Sequence, residues 1–434
     1  MMKPGFLRSD RAAAGGTIRP HRLGGRTRTI VLVAAAALSA VLAAGVVADR
    51  ETRPALICGP LIQMPAADRL VVVWKMDAFF THGSVVVSSA GRRLEVDATQ
   101  RDGQRYEAVL TGLPPGAAFE YTIVNYGFLH RPKVVAGPFR AAMPALRGQS
   151  FRFVAFGDSG NGSHTQAALA TLMAVDEPDV VIHTGDLIYP AGAAANYLSN
   201  FYEPNAALIR SAPFMPCLGN HDCQTDHGSP LLDEFVLPTN GPAGVEPGRY
   251  YWFDFGDVRF VAMDTNSADD SSGGVLTPQR MKDVVAPWLA EVLTDCDARW
   301  RIVYHHQPIY TGSIHSLDEH AYVKEIFQPV FDACHVDLVF AGHNHLFERS
   351  APMRDNRVVA DGAGVVYVTT GAGGTTRYME GKPTPTFIRA FNDKVFSFTR
   401  VDVSADRLEL RQIDPQGRVI DEYTLNKRAG PPPA

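Results

Sequence analysis

Cysteine is scarce in this sequence: the 434 residues include five, at positions 58, 217, 223, 296 and 334. None shows the short paired spacing of a zinc-binding motif, so a cysteine-built zinc site is not predicted. Cys296 and Cys334 each follow a predicted helix and precede a predicted strand, and could therefore be neighbours, while Cys217 and Cys223 flank a motif described below. An odd number leaves at least one free thiol, and the connectivity of the others is not readable from sequence.

An excess of positive charge is also missing, since the formal net charge is −5. Such a chain offers no electrostatic reason to bind nucleic acid, which attracts clusters of Lys and Arg. Any site for a phosphate group must take its positive charge from local groups, and bound metal ions are the obvious source. The remaining composition, 46% hydrophobic and 20% charged, is that of a globular protein with a sizeable core.

Only one stretch is long and apolar, Ile30 to Val47, interrupted by the small residues Ser39 and Gly45. A basic segment with several Arg and a single acidic residue precedes it, and Ala48-Asp49-Arg50 follows. This order indicates an export signal, because a core helix would have no use for the basic flank. The run is long for a cleaved signal and just long enough to span a bilayer, so cleavage and retention as a membrane anchor both remain open. In either case we expect the N-terminus to be cytoplasmic and the remainder to be secreted, periplasmic or anchored outside the cytoplasm.

From Arg53 to Met143 the pattern is all β, with short β-branched or aromatic runs separated by turn residues. The predicted strands include Leu70–Trp74, Ser84–Val87, Tyr106–Leu110 and Phe119–Ile123. This region resembles a fibronectin type III sandwich, a scaffold that accompanies many functions and identifies none.

After residue 147 apolar strands alternate with helical stretches, which is typical of an α/β domain. The predicted strands are Phe151–Phe156, Val180–His183, Phe214–Leu218, Val258–Met263, Ile302–Tyr304, Leu338–Phe340 and Val365–Thr369, with a helix over Val284–Leu293. Closing strands are predicted at Phe398–Val403 and Leu408–Ile413, and the Pro-rich end, Ala429–Ala434, is predicted to be disordered.

Five polar motifs follow five of these strands: Gly157-Asp158-Ser159-Gly160, Gly185 to Tyr189, Gly219 to Asp222, His305 to Pro308, and Gly342 to His345. Ligands bind at the carboxyl ends of strands in open α/β sheets, so the motifs can converge although they lie far apart in sequence. Singly, each has an ordinary explanation, since an Asp can cap a helix or hold a turn and one His is more often a satisfied polar group. Together, two Asp, one Asn, one Tyr and several His favour a metal centre, because such donors suit iron, zinc or manganese.

The order Asp-x-Gly, Gly-Asp-x-x-Tyr, Gly-Asn-His-Asp, His-x-Pro, Gly-His-x-His resembles the calcineurin-like metallophosphoesterases, in the variant used by purple acid phosphatases. The resemblance runs from about Arg53 onward and includes an N-terminal β domain that plant-type and many bacterial members carry. Most metallophosphoesterases place a His two residues after the first Asp, where this chain has Gly160. Tyr189 is the replacement ligand in purple acid phosphatases, and its alternative role is that of a packed aromatic residue at a strand end.

The resemblance implies an all-β sandwich followed by an α/β metallophosphoesterase domain with two β-sheets sandwiched by helices. The predicted divisions are a basic segment at 1–29, a signal peptide or anchor at 30–48, the sandwich at 53–146, the metallophosphoesterase domain at 150–425 and a tail at 426–434.

The resemblance also implies two metal ions and their ligands. The first ion would be bound by Asp158, Asp186, Tyr189 and His345, and the second by the shared Asp186 with Asn220, His306 and His343. His306 is preferred to His305 because it has the His-x-Pro register. A phenolate favours iron(III) at the first position, and the second could hold iron(II), zinc or manganese. Such a pair supplies hydroxide and neutralises charge on a phosphoryl group.

Three further residues are implied to be catalytic. His221 would protonate the leaving group, and Asp222 would orient it. His315 lies where the family often places another substrate-binding His, with His320 as the alternative. The run Gly371–Gly374 is interpreted either as the floor of the pocket or as a flexible loop.

The predicted function is hydrolysis of small phosphomonoesters, at acid to neutral pH outside the cytoplasm, without a nucleic-acid partner. One alternative is a phosphodiesterase or nucleotidase on the same metal site. Another is a catalytically silent surface binding protein, which the full ligand set disfavours because silent relatives usually lose ligands. The sequence makes no prediction of oligomeric state.

Overall fold

The computed structural model describes residues 33, 35–41, 56–77, 82–101, 104–126, 132–313, 320–379 and 385–427. Residues 33 and 35–41 are helical, and the rest of the predicted signal or anchor lies outside the described residues, as do segment 1–29 and residues 428–434. Within the described ranges no helix is long and apolar enough to cross a membrane. The chain divides into two compact units, Met1–Arg53 and Pro54–Ala434, and the second carries every element discussed below.

The strands of the second unit are β1 (Leu56–Ala66), β2 (Arg69–Met76), β3 (His82–Ser89), β4 (Arg92–Gln100), β5 (Arg105–Thr111), β6 (Ala118–Tyr126), β7 (Pro132–Ala142), β8 (Phe151–Phe156), β9 (Val180–His183), β10 (Phe214–Pro216), β11 (Tyr251–Phe255), β12 (Val258–Ala262), β13 (Trp300–Tyr304), β14 (Leu338–Ala341), β15 (Phe347–Ser350), β16 (Met353–Arg354), β17 (Arg357–Val358), β18 (Val366–Thr370), β19 (Ile388–Asn392), β20 (Phe398–Val403), β21 (Arg407–Ile413) and β22 (Val419–Asn426). Its α-helices are α1 (His164–Val175), α2 (Ala206–Ile209), α3 (Asn220–Cys223), α4 (Ser229–Glu234), α5 (Pro278–Arg280), α6 (Ala286–Thr294) and α7 (Ala321–Ala333). Short 3₁₀ or π turns occupy Ala194–Asn196, Leu198–Tyr202, Asp226–Gly228 and Met281–Val285.

The first seven strands form one antiparallel sheet in the order β1-β2-β5-β4-β3-β6-β7. Alternate side chains of its two halves, among them Val72, Trp74, Val85 and Ile123, meet in a single buried cluster. The sheet therefore folds over on itself as a sandwich, because each strand places every second residue on the same face. This confirms the all-β prediction for the N-terminal region, and its fibronectin type III identity stays a prediction.

The α/β region that follows, from Phe151 onward, contains two larger sheets, ordered β10-β9-β8-β20-β21-β22 and β11-β12-β13-β14-β18-β15-β19. They pack face to face: the ring of Phe153 meets Phe260 and Phe340 edge to face, at centroid distances of 5.2 and 5.9 Å. Val303 and Val339 lie in a separate cluster with the buried residues of α6 and α7. Helices thus cover the second sheet on its other side, and the predicted architecture of two packed sheets with helices is confirmed.

Many predicted element bounds agree with the structure. Phe151–Phe156, Val180–His183 and Phe398–Val403 are identical to β8, β9 and β20. The helix predicted over Val284–Leu293 is observed as a π turn followed by α6, with Pro at the start of the α-helix, where its missing N–H is tolerated. All five cysteines are free thiols.

Candidate metal centre

Both sheets contribute polar side chains at the carboxyl ends of their parallel strands. Asp158 and Asp186 follow β8 and β9, which pair in parallel in the first sheet. His306 and His343 follow β13 and β14, which pair in parallel in the second sheet. The predicted convergence occurs: Asp158, Asp186 and His306 are buried, and each offers a ligand atom within 4.8 Å of the others.

The hydroxyl of Tyr189 is the meeting point of the first half of the site. It lies 2.7 Å from Asp186 Oδ2, 3.1 Å from His345 Nε2 and 3.3 Å from Asp158 Oδ1. A phenol has a single proton to donate, and carboxylate oxygens only accept, so one hydroxyl cannot satisfy all three neighbours. A bound cation would remove the repulsion between their lone pairs. The donor set therefore fits a metal ion in this position.

The amide oxygen of Asn220 is the corresponding point of the second half. It lies 2.9 Å from His306 Nε2 and 3.0 Å from His343 Nδ1, and these two nitrogens are 3.4 Å apart. Asp186 Oδ1 is 3.4 Å from His306 Nε2, which places this carboxylate between the two halves. The opposite nitrogen of His306 donates to the carbonyl of Thr184 at 2.8 Å, so Nε2 faces inward, as a metal ligand requires.

His345 is held from outside by residues that the sequence analysis missed. Its Nδ1 lies 3.0 Å from Thr376 Oγ1, and its ring stacks on Tyr378 at 4.4 Å. Neither residue belongs to a motif, so sequence offered no signal for them. His305, by contrast, faces away: it stacks on Phe331, and burial lowers its pKa to about 3. The register argument for His306 agrees with this arrangement.

Two glycines allow the motif loops to approach one another. A Cβ on Gly160 would lie 1.6 Å from the carbonyl oxygen of Leu187, and the carbonyl of Gly160 accepts a hydrogen bond from the Tyr189 amide at 2.8 Å. A Cβ on Gly219 would lie 2.1 Å from the amide nitrogen of Asp186. The backbone at position 160 therefore leaves no room for the His that most metallophosphoesterases carry there.

Three site residues have left-handed backbone conformations. The φ angles are +55° for Asp158, +55° for Asp186 and +67° for His343. Such conformations cost about 1–3 kcal/mol each and persist only where surrounding contacts enforce them. Here the amide of His343 donates to both oxygens of Asp158 at 3.0 Å, and the amide of His221 donates to Asp186 Oδ1 at 2.8 Å.

Burial and close carboxylates dominate the electrostatics of the site. Burial and the neighbouring Asp186 raise the pKa of Asp158 well above its usual range. Burial opposes charge on His306, but Asp186 raises the pKa of that imidazole to about 9. Burial and the His306 charge hold the pKa of His343 well below its usual range. Two buried carboxylates thus draw positive charge to this point, and cations would supply it directly.

The structure corrects the predicted role of Asp222. Its two oxygens accept hydrogen bonds from the backbone amides of Gly219, Leu187 and Ile188, at 2.9–3.0 Å. Asp222 therefore joins the two motif loops and does not orient His221. The Nδ1 of His221 is instead hydrogen bonded to the carbonyl of Pro190. Asp222, the next residue in sequence, was the wrong choice because the partner of His221 Nδ1 is a main-chain carbonyl, which no motif reveals.

The remaining site predictions have mixed outcomes. His315 lies outside the described residues. His320 is described and buried, and its ring lies 5.1 Å from that of His343. The Gly371–Gly374 run passes beneath Asp158, since a Cβ on Gly371 would lie 2.8 Å from Asp158 Oδ2, and this supports the pocket-floor interpretation.

Residues 151–347 match the family model of the calcineurin-like phosphoesterases. The match covers a little under half of the chain and includes all five motifs of the site. The chain is also similar to purple acid phosphatases. Purple acid phosphatase 23 of Arabidopsis thaliana is 26% identical over 54% of this chain and 54% of its own length.

Other relatives extend over more of the chain. An uncharacterised protein of Mycobacterium tuberculosis is 26% identical over 68% of this chain and 62% of its own length. A nucleotide pyrophosphatase/phosphodiesterase of Hordeum vulgare is 25% identical over 68% of this chain and 88% of its own length. The alignments thus span 62% and 54% of the Mycobacterium and Arabidopsis proteins. The purple acid phosphatase from yellow lupin (Lupinus luteus) seeds has the same fold, with a TM-score of 0.71 and 18% identity over 85% of this chain and 74% of that one.

Proposed function

We propose that this protein hydrolyses phosphomonoesters at a centre of two metal ions. The observation that carries the proposal is the convergence of Asp158, Asp186 and His345 on the Tyr189 hydroxyl, at 2.7–3.3 Å. This donor set, which includes a phenol, suits iron(III). The second donor set, built around the Asn220 amide oxygen, suits iron(II), zinc or manganese. The proposed ligands of the first ion are Asp158, Asp186, Tyr189 and His345, and those of the second are Asp186, Asn220, His306 and His343.

Two bound ions would supply Lewis-acid chemistry, which activates water and neutralises charge on a phosphoryl group. The protein itself supplies the proton for the leaving group. His221 is the proposed donor, because its ring lies on Tyr189 at 4.5 Å and its Nε2 is 4.0 Å from Asp186 Oδ2. The Pro190 carbonyl accepts from Nδ1, so this contact fixes the ring and leaves Nε2 to deliver a proton toward the centre.

We propose that the reaction takes place outside the cytoplasm. The support is the basic segment before Ile30–Val47 and the polar Ala48-Asp49-Arg50 after it. Cleavage would yield a secreted or periplasmic protein, and retention would yield an anchored one. Mass determination of the N-terminus of the exported protein separates the two.

A phosphodiesterase or nucleotidase is the second candidate. It is considered because the relative from Hordeum vulgare is named a nucleotide pyrophosphatase/phosphodiesterase. Assays with p-nitrophenyl phosphate and bis-p-nitrophenyl phosphate share a leaving group and differ only in the second ester. Monoesterase action predicts faster turnover of the first compound. Faster turnover of the diester would replace the proposed activity with the alternative. Hydrolysis of neither would favour a silent binding protein.

The two-metal proposal is tested by Asp186→Ala. Because Asp186 lies between both donor sets, its loss should remove both ions and nearly all activity. Metal content by mass spectrometry and turnover of p-nitrophenyl phosphate are the measurements. Asp295→Ala is the matched control, since Asp295 is exposed beyond the end of α6. Retention of two ions by Asp186→Ala, or full turnover by metal-free protein, would reject the proposal.

A further inference from the structure

His320 lies directly against one of the candidate metal ligands. The ring centroids of His320 and His343 are 5.1 Å apart, and the rings are nearly perpendicular, at 79°. On its other side His320 Nδ1 lies 3.4 Å from Asp270 Oδ2. His320 is 6% exposed, so this imidazole and carboxylate meet in a largely buried place beside the second half of the centre. Neither residue is among the proposed ligands.

The loop that carries Asp270 is built to hold it in place. The amide of Ser272 donates to Asp270 Oδ1 at 2.8 Å, and the hydroxyl of Ser272 accepts from the amide of Ser267 at 2.7 Å. The amide of Gly274 closes the turn on the carbonyl of Ser267 at 3.0 Å. Tyr322, at the start of α7, donates to the Thr265 carbonyl at 2.7 Å and so ties the helix that follows His320 to the base of this loop.

The three candidate imidazole ligands are held from outside in different ways. His306 donates from Nδ1 to the Thr184 carbonyl, and Nδ1 of His345 meets the Thr376 hydroxyl. Both therefore turn Nε2 inward. His343 is reversed: its Nδ1 faces Asn220, so its Nε2 side is directed outward. The ring beside it is His320.

We infer that Asp270 and His320 form a positioning pair that fixes the imidazole of His343 and thereby strengthens binding of the second metal ion. The inference rests on the two-metal function proposed above. The carboxylate holds the His320 ring, and the His320 ring restricts rotation of His343 about its side-chain bonds. A ligand held in its binding orientation loses less entropy when the ion binds. Neither residue of the pair is required to touch the metal or the substrate.

The test is a titration of zinc into the metal-stripped full-length protein, with binding measured by calorimetry. Wild type should bind two ions. Asp270→Asn and His320→Gln should each weaken one of the two binding events about 10- to 100-fold, the range seen when supports of metal ligands are removed. The other event should keep its wild-type affinity. Asp269→Asn is the matched control, because it removes the same charge from an exposed neighbour on the same loop and should bind zinc as wild type does.

A double-mutant cycle identifies the route of the effect. If the pair acts through His343, Asp270→Asn should cause little further loss of zinc affinity in a His343→Ala background. Equal losses in both backgrounds would overturn the inference, as would wild-type zinc affinity in both Asp270→Asn and His320→Gln. A wild type that binds fewer than two zinc ions would instead reject the two-metal proposal. Circular dichroism of each variant separates misfolding from a specific loss of affinity.

Discussion

At the scale of single residues, Gly160 and Tyr189 are two parts of one arrangement. The Gly160 carbonyl accepts from the Tyr189 amide, and a side chain at position 160 would collide with Leu187. The same contact that excludes a His at position 160 therefore places the Tyr189 hydroxyl among Asp158, Asp186 and His345. The absence of a His at position 160 and the position of the Tyr189 hydroxyl therefore have a common cause in the path of the backbone.

Tyr189→Phe tests the iron(III) assignment. A phenolate bound to iron(III) should give the protein a pink to purple colour through charge transfer from ring to metal. The substitution keeps the ring that packs on His221 and deletes only the oxygen, so the fold should survive while the visible band disappears and the first ion binds less tightly. Visible absorption and metal analysis are the measurements. Tyr197→Phe changes another buried tyrosine, whose ring packs on Phe201 and Phe235, and this variant should stay coloured.

A colourless, fully active wild type with two zinc or manganese ions would keep the phosphoesterase and remove the purple acid phosphatase assignment. Equal metal binding by wild type and Tyr189→Phe would show that the ring is only packed.

His221→Ala tests acid catalysis. The ion content should not change, because His221 is not among the proposed ligands. Esters of basic alcohols, which need a proton on departure, should slow by about 10²–10⁴-fold, whereas p-nitrophenyl phosphate should slow far less. Steady-state rates with both kinds of ester are the measurement. Equal slowing of the two would remove His221 from this role.

Sequence predicted the residues that face the centre better than those that hold them. The donors stand beside glycines at strand ends, and their types report metal chemistry directly. Thr184 and Pro190 act through their carbonyl groups, which every residue possesses, so no side-chain pattern reveals them. Asp222 was misjudged for the same reason, because its partners are backbone amides.

At the scale of elements, strand β1 belongs to both the sandwich and the core of the α/β region. It pairs with β2 in the sandwich, yet its residues Cys58 and Leu61 are buried in the core of the two larger sheets. Lys75 on β2 binds Glu234 at the end of α4 at 2.7 Å, and Tyr202 donates to the same carboxylate at 2.5 Å. Both regions belong to one compact unit, and we therefore expect them to unfold together as a shared folding unit.

Lys75→Met should destabilise the whole unit. It removes the cation from Glu234, whose side chain is only 11% exposed, and hydrogen bonds to charged groups contribute about 1.5–3 kcal/mol. Urea unfolding should show one transition with a lower midpoint and an unchanged slope. Arg140→Met, which breaks the exposed pair with Glu120, is the control and should cost under about 1 kcal/mol. Separate unfolding of the sandwich would contradict the shared folding unit.

Strand bounds could be predicted from the sequence where the hydrophobic runs are continuous. The strands β8 and β9, which are buried except at the partly exposed Arg152, have the bounds that sequence predicts. The contacts of β1 with both regions could not be predicted from the sequence. A strand that packs against two cores has the same amino-acid composition as a strand that packs against one. Tertiary contacts decide that β1 packs against both cores. One of them is the hydrogen bond that the side chain of Gln63 accepts from the Val236 amide at 2.7 Å.

At the scale of the whole molecule, the candidate metal centre lies between the two large sheets of the α/β region. Asp158, Asp186 and Asn220 follow strands of one sheet, and His306, His343 and His345 follow strands of the other. The sheets already share an apolar core, but at this edge their contact is polar and includes two buried carboxylates. Bound ions would therefore stabilise the folded state where hydrophobic packing ends.

Removal of metal should lower the thermal stability of the full chain. An ion at one hundred times its dissociation constant stabilises a folded protein by about 2.7 kcal/mol, and its loss should lower the Tm by several degrees. Calorimetry of loaded and stripped protein is the measurement. Asp186→Ala should melt like stripped wild type and should not respond to added metal. Identical melting of loaded and stripped wild type would contradict a join between the sheets.

The close approach of Gly160 to Leu187 also limits how this site can evolve. A Cβ at position 160 meets the backbone at 1.6 Å, so even Ala there requires the loop to move. A lineage with this backbone cannot exchange the proposed tyrosine ligand for a histidine by a single substitution at position 160. Either change made alone passes through a protein that is strained or lacks a ligand. The choice of ligand is therefore inherited together with the path of the loop, and we expect it to persist while surface residues and substrates diverge.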